Sequence, residues 1–172
     1  MASQHWLILL FLGALGACVG SFLNVVVYRW PRGMSVVRPG SRCPHCGHPI
    51  RPFDNIPIVS WLVLGGRCRD CRGPVSSRYA WIEATVGLIF FGLAFHLFDP
   101  VDSLAEHGLG DPFRWALYVC QLILVCSLLC AYLIRRDGFA VPRLLLVLAV
   151  FGACGAAALI VQAQLAATSF SL

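Results

Sequence analysis

Four cysteines occur as two C-x-x-C pairs within one polar stretch of the chain. Cys43 and Cys46 form the first pair, and Cys68 and Cys71 form the second. Two residues between cysteines let a tight turn direct both sulfur atoms at one point, and two such turns complete a tetrahedral zinc site. Because four thiolates leave no open position for water, the spacing predicts structural zinc rather than a catalytic metal. A small loop with little core of its own would gain its fold from that metal.

The residues beside the cysteine pairs leave two questions open. His45 and His48 could replace a cysteine as metal ligands, although four thiolates already suffice. Segment 51–66 starts with prolines and an Asp-Asn pair, which indicate a turn, and continues with apolar residues. Those apolar residues fit either a strand or a helix on the membrane surface, and the sequence does not decide between the two.

The composition is that of a membrane protein. Hydrophobic residues make up 59% of the 172 residues and charged residues 12%, whereas about a quarter of a soluble domain is charged. Four apolar stretches are near the ~20 residues that cross a bilayer, and they cover 6–28, 80–98, 115–134 and 144–167. The first is interpreted as an uncleaved span, because no basic residue precedes it and it is too long for a signal peptide. The predicted fold class is an all-α membrane protein whose cysteine loop joins the first two spans.

Loop charges predict how the chain crosses the membrane. All 13 basic residues are arginine, so a lysine Schiff base or lysine general base is excluded. Nine of the arginines lie in loop 29–79, beside two aspartates, whereas the second loop is acidic and the third is again rich in arginine. Because arginine-rich loops stay in the cytoplasm, we expect the cysteine loop inside and both termini outside.

Two polar residues lie within the predicted spans. A carboxylate at this depth costs a few kcal/mol unless it is paired. Since Glu83 is a turn inside the cytoplasmic end, we expect it to pair with Arg78 or Arg29 and to fasten the spans to the loop, with a catalytic role as the alternative. Asn24 is expected to hydrogen-bond between helices. Three glycines share one face of the first span and would allow close packing: Gly13, Gly16 and Gly20.

The motifs of the first half together resemble the opening of the bacterial type IV prepilin peptidases. The matching strings are GSFLNVVVYRWP at 20–31, SRCPHCG at 41–47, NIPIVS at 55–60 and GRCRDC at 66–71. The resemblance covers roughly the first 95 residues and implies an inner-membrane protein related to enzymes that trim and N-methylate pilin and type II secretion pseudopilin precursors. Four residues in it are candidates for structural or substrate-handling roles: Asn24, Arg29, Arg78 and Glu83.

The second half departs from that family where proteolysis is carried out. The peptidases use two aspartates on separate spans, and the first lies in a pattern Ile-Asp-x-Asp followed by four residues and proline. Counting back from Pro142, Arg135 stands at the place of the catalytic aspartate, and Asp137 matches the second aspartate of the pattern. An arginine can neither act as a base nor share a proton with a carboxylate. Asp137 is therefore the remaining catalytic candidate, and no aspartate pair is found.

The string GLGD at 108–111 spells the family's second aspartate motif, but we interpret it as a turn. It precedes the Asp137 region, lies in the acidic outer loop, and is followed by Pro112. Two carboxylates on opposite membrane faces cannot share one proton, so Asp111 is better explained by a Gly-Asp-Pro turn. The predicted domains are a peptidase-like 1–98 and a degenerate 99–172 with two further spans.

Three functions are compatible with these observations. The favoured one is a degenerate or split relative of the peptidases that handles pilin-like precursors. Such a protein is not proteolytic alone and relies on a separate chain for the aspartate pair. A complete peptidase is the alternative. The second is a prepilin N-methyltransferase that uses S-adenosylmethionine, although no glycine-rich nucleotide turn supports such a site. The third is a membrane-anchored zinc ribbon that binds a cytoplasmic partner. Nucleic acid is not favoured, because topology already explains the arginines and aromatic residues are sparse.

Overall fold

The computed structural model describes residues 2–98 and 112–169, with side chains at 4–98 and 112–162. The described residues form α-helices and short 3-10 turns, without a β-strand. The α-helices are α1 (Ala2–Arg29), α2 (Val59–Val63), α3 (Arg78–Leu97), α4 (Pro112–Arg136) and α5 (Arg143–Ser169). The 3-10 turns are Trp30–Arg32 and Pro52–Asn55. The predicted all-α class is confirmed.

Four helices of the described residues, α1, α3, α4 and α5, are long and apolar enough to cross a membrane. They coincide with the four predicted spans to within a few residues at each end. Proline and glycine set the ends, as their backbone restrictions require. Proline begins α4 at Pro112 and precedes α5 at position 142. Gly33 follows the 3-10 turn at the end of α1 and has a left-handed φ of 68°. Gly138 lies just after α4 and has a left-handed φ of 84°.

The chain divides into two compact units, Met1–Gly92 and Leu93–Leu172. In the first unit, α1 packs closely against α3 along the predicted glycine face. A Cβ atom at Gly20 would lie 2.9 Å from the Cα of Glu83, and one at Gly16 would lie 2.6 Å from the Cβ of Phe90. These distances leave no room for a side chain, so the glycines permit the close approach of the two helices.

In the second unit, α4 packs against α5 through a similar small-residue contact. A Cβ atom at Gly152 would lie 2.8 Å from the backbone oxygen of Cys120. Cys130 is buried and serves as a small apolar side chain, as expected for cysteines within the spans. The predicted division at 98/99 into two domains stays a prediction.

The segment between the two cysteine pairs is helical. It contains the 3-10 turn Pro52–Asn55 followed by α2. Of the two structures that the sequence left open for these residues, the helix is observed and the strand is not.

Candidate metal centre and its attachment to the spans

The first cysteine pair lies in a tight turn closed by backbone hydrogen bonds. The N–H of Cys43 donates to the oxygen of His48 at 2.9 Å, and the N–H of Gly47 donates back to the oxygen of Cys43 at 2.9 Å. Gly47 has a φ of 70°, a left-handed conformation that glycine adopts without a steric cost. The chain therefore turns back on itself directly after Cys46 and leaves both sulfur atoms on one side.

The second cysteine pair repeats this arrangement. The N–H of Cys68 donates to the oxygen of Gly73 at 2.9 Å, and the N–H of Arg72 donates to the oxygen of Cys68 at 3.0 Å. Arg72 corresponds to the glycine of the first turn and has a φ of 60°. A left-handed arginine is uncommon, so the closed turn holds the backbone in this conformation against the local preference of the residue.

The two turns bring four sulfur atoms together. The Sγ atoms of Cys43, Cys46, Cys68 and Cys71 all lie within 4.8 Å of one another, and those of Cys43 and Cys71 are 3.8 Å apart. Four sulfurs at ~2.3 Å from a tetrahedral zinc ion would be about 3.8 Å apart. The cluster therefore fits a metal ion, and a set of four thiolates is the donor set that zinc accepts.

The ionisation of the thiols also favours a cation at this place. Backbone N–H groups, that of Cys46 first and that of His45 after it, outweigh burial and lower the pKa of Cys43 to about 6. At Cys46 the backbone N–H of His48 lowers the pKa, but burial and the neighbouring thiols together raise it to about 12. One thiolate thus forms easily and opposes the ionisation of the next, a repulsion that a bound divalent cation removes.

His45 joins the two turns and lies outside the sulfur cluster. Its Nε2 donates to the oxygen of Pro74 at 3.1 Å, and a Cβ atom at Gly73 would lie 2.8 Å from its ring. His48 is exposed. Among the described residues the metal-binding group consists of the four cysteines, so neither histidine takes the place of a thiolate.

Ion pairs attach the second turn to the 3-10 turn of the loop. Arg69 donates through Nε and Nη2 to both carboxylate oxygens of Asp54, with distances from 2.6 to 3.0 Å. The hydrogen bonds from Arg69 hold the pKa of Asp54 below its usual range. A second pair joins Arg51 and Asp70 at 3.2 Å. The second cysteine turn and residues 51–54 therefore form one structural unit.

The side chain of Glu83 has a backbone partner in the loop. Its Oε2 accepts a hydrogen bond from the backbone N–H of Ile58 at 2.7 Å, and Glu83 is buried, with 7% of its surface exposed. The backbone donor from the loop is a partner that the sequence did not suggest, and the pairing of Glu83 with Arg78 or Arg29 stays a prediction. The expected attachment of the second span to the loop is still made, through that backbone.

Ile58 itself has an unusual backbone conformation. Its φ is 64°, an outlier for a β-branched residue. The N–H of Val59 donates to the oxygen of Pro57 at 2.6 Å, so Ile58 is the central residue of a strained γ-turn. Ser60 supports the turn, since its hydroxyl accepts from the N–H of Ile56 and donates to the oxygen of Phe53, both at 3.0 Å. The sequence predicted neither the γ-turn nor the role of Ser60. The position of a serine within an apolar run was the one feature that could have indicated the role of Ser60.

The remaining candidates of the first unit make structural contacts. The side-chain amide of Asn24 donates to the oxygen of Tyr79 at 3.4 Å, a contact between the first two spans of the kind expected. Arg78 is exposed at the first position of α3. The guanidinium of Arg29 donates to three loop carbonyl oxygens, those of Ser35, Pro39 and Gly40.

Arg135 and Asp137 lie at the end of α4, in the second unit. Arg135 is exposed, and Asp137 follows the last helical residue with its N–H bonded to the oxygen of Leu133 at 3.0 Å. The catalytic candidacy of Asp137 stays a prediction. Asp111 and the other acidic residues of the second loop lie outside the described residues.

The fold and the site define a multi-pass membrane protein whose four-cysteine loop is attached to its first two spans. Residues 14–97 match the family described as Bacterial Peptidase A24 N-terminal domain. The N-terminal half of the chain therefore belongs to the prepilin leader peptidase family. No solved structure matches the chain.

Curated relatives agree with this assignment. The "Prepilin leader peptidase/N-methyltransferase" of Myxococcus xanthus is 57% identical over 81 residues, which are 47% of this chain and 24% of that protein. Proteins of the same name from Dichelobacter nodosus and Pseudomonas aeruginosa are 33% and 34% identical over 78% and 76% of this chain. These matches cover 53% and 48% of the two relatives, so the chain spans about half of their length.

Proposed function

We propose that this protein is a prepilin-peptidase-like component of the bacterial inner membrane that handles type IV pilin and type II secretion pseudopilin precursors but does not cleave them alone. The family match over residues 14–97 supports the precursor-handling role. The presence of Arg135 at the place of the first catalytic aspartate supports the lack of cleavage. A guanidinium keeps its proton at every physiological pH, so it cannot replace a carboxylate in an aspartate dyad.

The cysteine cluster is proposed to bind structural zinc. Four thiolates close the coordination sphere, so the ion would hold the two turns together without activating water. The ion pairs of Arg69 and Arg51 then extend this rigid unit to the 3-10 turn Pro52–Asn55. The bond from Ile58 to Glu83 extends it further to the second span. The metal would in this way fix the loop against the ends of α1 and α3, where a precursor would approach.

The loop is proposed to lie in the cytoplasm with both termini outside, because nine arginines lie in it and arginine-rich loops stay inside. A separate membrane chain that carries an aspartate pair is proposed to supply proteolysis. In that arrangement this protein binds the precursor and its partner cleaves it.

The test is reconstitution of the protein by itself in liposomes with a full-length prepilin. We expect the prepilin to be retained by the liposomes and its leader to remain uncut, whereas mature pilin without a leader is retained less. Leader cleavage that is abolished by Asp137→Ala but not by Asp70→Ala would refute the claim that the chain is proteolytically incomplete. Equal retention of prepilin and mature pilin would refute precursor handling. Labelled S-adenosylmethionine in the same liposomes reports N-methylation independently.

A further inference from the structure

The length of α3 indicates where its first turns lie in the bilayer. Its 20 residues, at 1.5 Å per residue, extend about 30 Å, the thickness of the hydrocarbon core. Arg78 therefore lies at one membrane boundary, and Glu83 lies about 7 Å inside it. Tyr79 and Trp81 are 45% and 71% exposed at this end, as is typical of aromatic side chains at a membrane interface.

Part of the loop reaches this depth. The hydrogen bond to Glu83 places Ile58 beside the second turn of α3. Asn55 and Pro57 also line a groove of about 320 Å³ together with residues of α1. The α1 residues on its wall include Cys18, Ser21, Phe22 and Val25. The groove also reaches Arg29 at the end of α1 and loop residues from Val36 to Ser41, so residues 55–58 lie beside the last turns of α1 and the first turns of α3.

Several backbone N–H groups of this segment have acceptors within the protein. Non-helical backbone is tolerated at membrane depth only when other protein groups satisfy its N–H and C=O groups. The Ile58 N–H is bonded to Glu83, and hydrogen bonds within the segment satisfy the N–H groups of Ile56, Val59, Ser60, Leu62 and Leu64. The N–H of Ile58 has no acceptor within the segment and donates to Glu83 instead. This bond gives the buried carboxylate of Glu83 a partner.

The side chains that α2 directs outward are apolar. Val59, Leu62 and Val63 are 52%, 63% and 75% exposed, and Ile56 and Phe53 are 49% and 57% exposed. Two exposed arginines that make neither of the ion pairs described above follow these apolar residues in the loop sequence: Arg67 and Arg72. Apolar side chains beside basic ones match the acyl chains and anionic phosphates of a lipid leaflet.

We infer that residues 53–63 form an interfacial segment that inserts Val59, Leu62 and Val63 into the lipid leaflet on the side of the cysteine loop. The bilayer then holds the loop with the four cysteines against the membrane surface, in addition to the covalent connections and the bond to Glu83. This inference does not rest on the proposed function, because it concerns the bilayer and neither the precursor nor a metal.

The inference is tested with the full chain in nanodiscs of phosphatidylethanolamine and phosphatidylglycerol, in which both membrane faces are accessible. An environment-sensitive fluorescent amino acid replaces Leu62 in one protein and Val63 in a second. The matched control carries it in place of His48, which is exposed in the first cysteine turn. Quenching is measured with lipids brominated in the upper acyl chain and, separately, with aqueous iodide.

We expect brominated lipid to reduce the fluorescence at positions 62 and 63 and iodide to have little effect there, with the reverse pattern at position 48. Strong iodide quenching at 62 and 63, equal to that at 48, would overturn the inference. Protection of 62 and 63 from both quenchers would also overturn it, since another protein surface would then cover the segment. Two labelled positions guard against misfolding of either variant, and circular dichroism of each protein reports retained helix content.

Discussion

Replacing Gly20 by alanine tests whether the α1–α3 contact determines the position of the loop. The new Cβ atom would lie 2.9 Å from the Cα of Glu83 and 3.1 Å from the oxygen of Ile82. Both neighbours are backbone atoms of a helix, so no flexible side chain can move aside. The helices must separate by about half an ångström to restore ordinary contact, and this movement also displaces the carboxylate that accepts from Ile58.

Overpacking of this kind costs about 1–3 kcal/mol, or about 5- to 150-fold in the unfolding equilibrium. Gly92→Ala is the matched control, because it lies on α3 and, apart from its own stretch of the helix, nothing in the described part of the chain lies within 4 Å of its new Cβ. Both substitutions gain the same helix propensity, up to about 1 kcal/mol. The difference between the two variants therefore measures the contact itself.

The assay is reversible unfolding in mixed micelles of dodecyl maltoside and sodium dodecyl sulfate, followed by circular dichroism. We expect Gly20→Ala to lower the free energy of unfolding relative to Gly92→Ala by about 1–3 kcal/mol. Quenching of a fluorophore at position 62 by lipid should fall in the same variant. A difference between the two alanine variants within about 0.5 kcal/mol would refute close packing at Gly20.

Three further predictions concern the loop that contains the four cysteines. Cys46→Ser should reduce bound zinc, measured by plasma mass spectrometry, from about one ion per chain to a small fraction; Cys154→Ser, an exposed cysteine of α5, should leave it unchanged. Gly47→Ala should destabilise the first cysteine turn by about 1 kcal/mol, because the alanine would have to adopt a left-handed conformation. Gly40→Ala should not destabilise it, since Gly40 lacks a positive φ. Thermal unfolding of both variants checks this prediction. Asp54→Asn should be less stable than the wild type at pH 7, and the difference should vanish as the pH falls below the usual carboxyl range. The sign follows from the lowered pKa of Asp54: its ionised form stabilises the fold, and that contribution is lost on protonation. A difference that persists at low pH would contradict it.

Features set by local composition could be predicted from the sequence. The four spans follow from the length of their apolar runs, and the cysteine cluster follows from two C-x-x-C pairs, because a two-residue spacing closes a turn by itself. The glycine face of α1 was predicted because residues 13, 16 and 20 recur at helical spacing. In each case the pattern depends on neighbours within one or two turns of the chain.

The partner of Glu83 could not be predicted in this way. From the sequence, the charge of the carboxylate pointed to an arginine. The structure supplies the N–H of Ile58, 25 residues away, because the γ-turn directs that N–H toward the second span. Any residue other than proline carries a backbone N–H, so composition gives no indication of which one a buried carboxylate will meet.

The sequence by itself determined that the chain crosses a membrane, that its loop gathers four thiols, and which family its first half belongs to. The tertiary structure decided that His45 joins the two turns, that segment 53–63 folds back beside the spans, and that its apolar side chains face outward. The physical reason is that hydrophobic length and turn spacing act locally, whereas the position of a loop against the helices depends on contacts between residues distant in the chain.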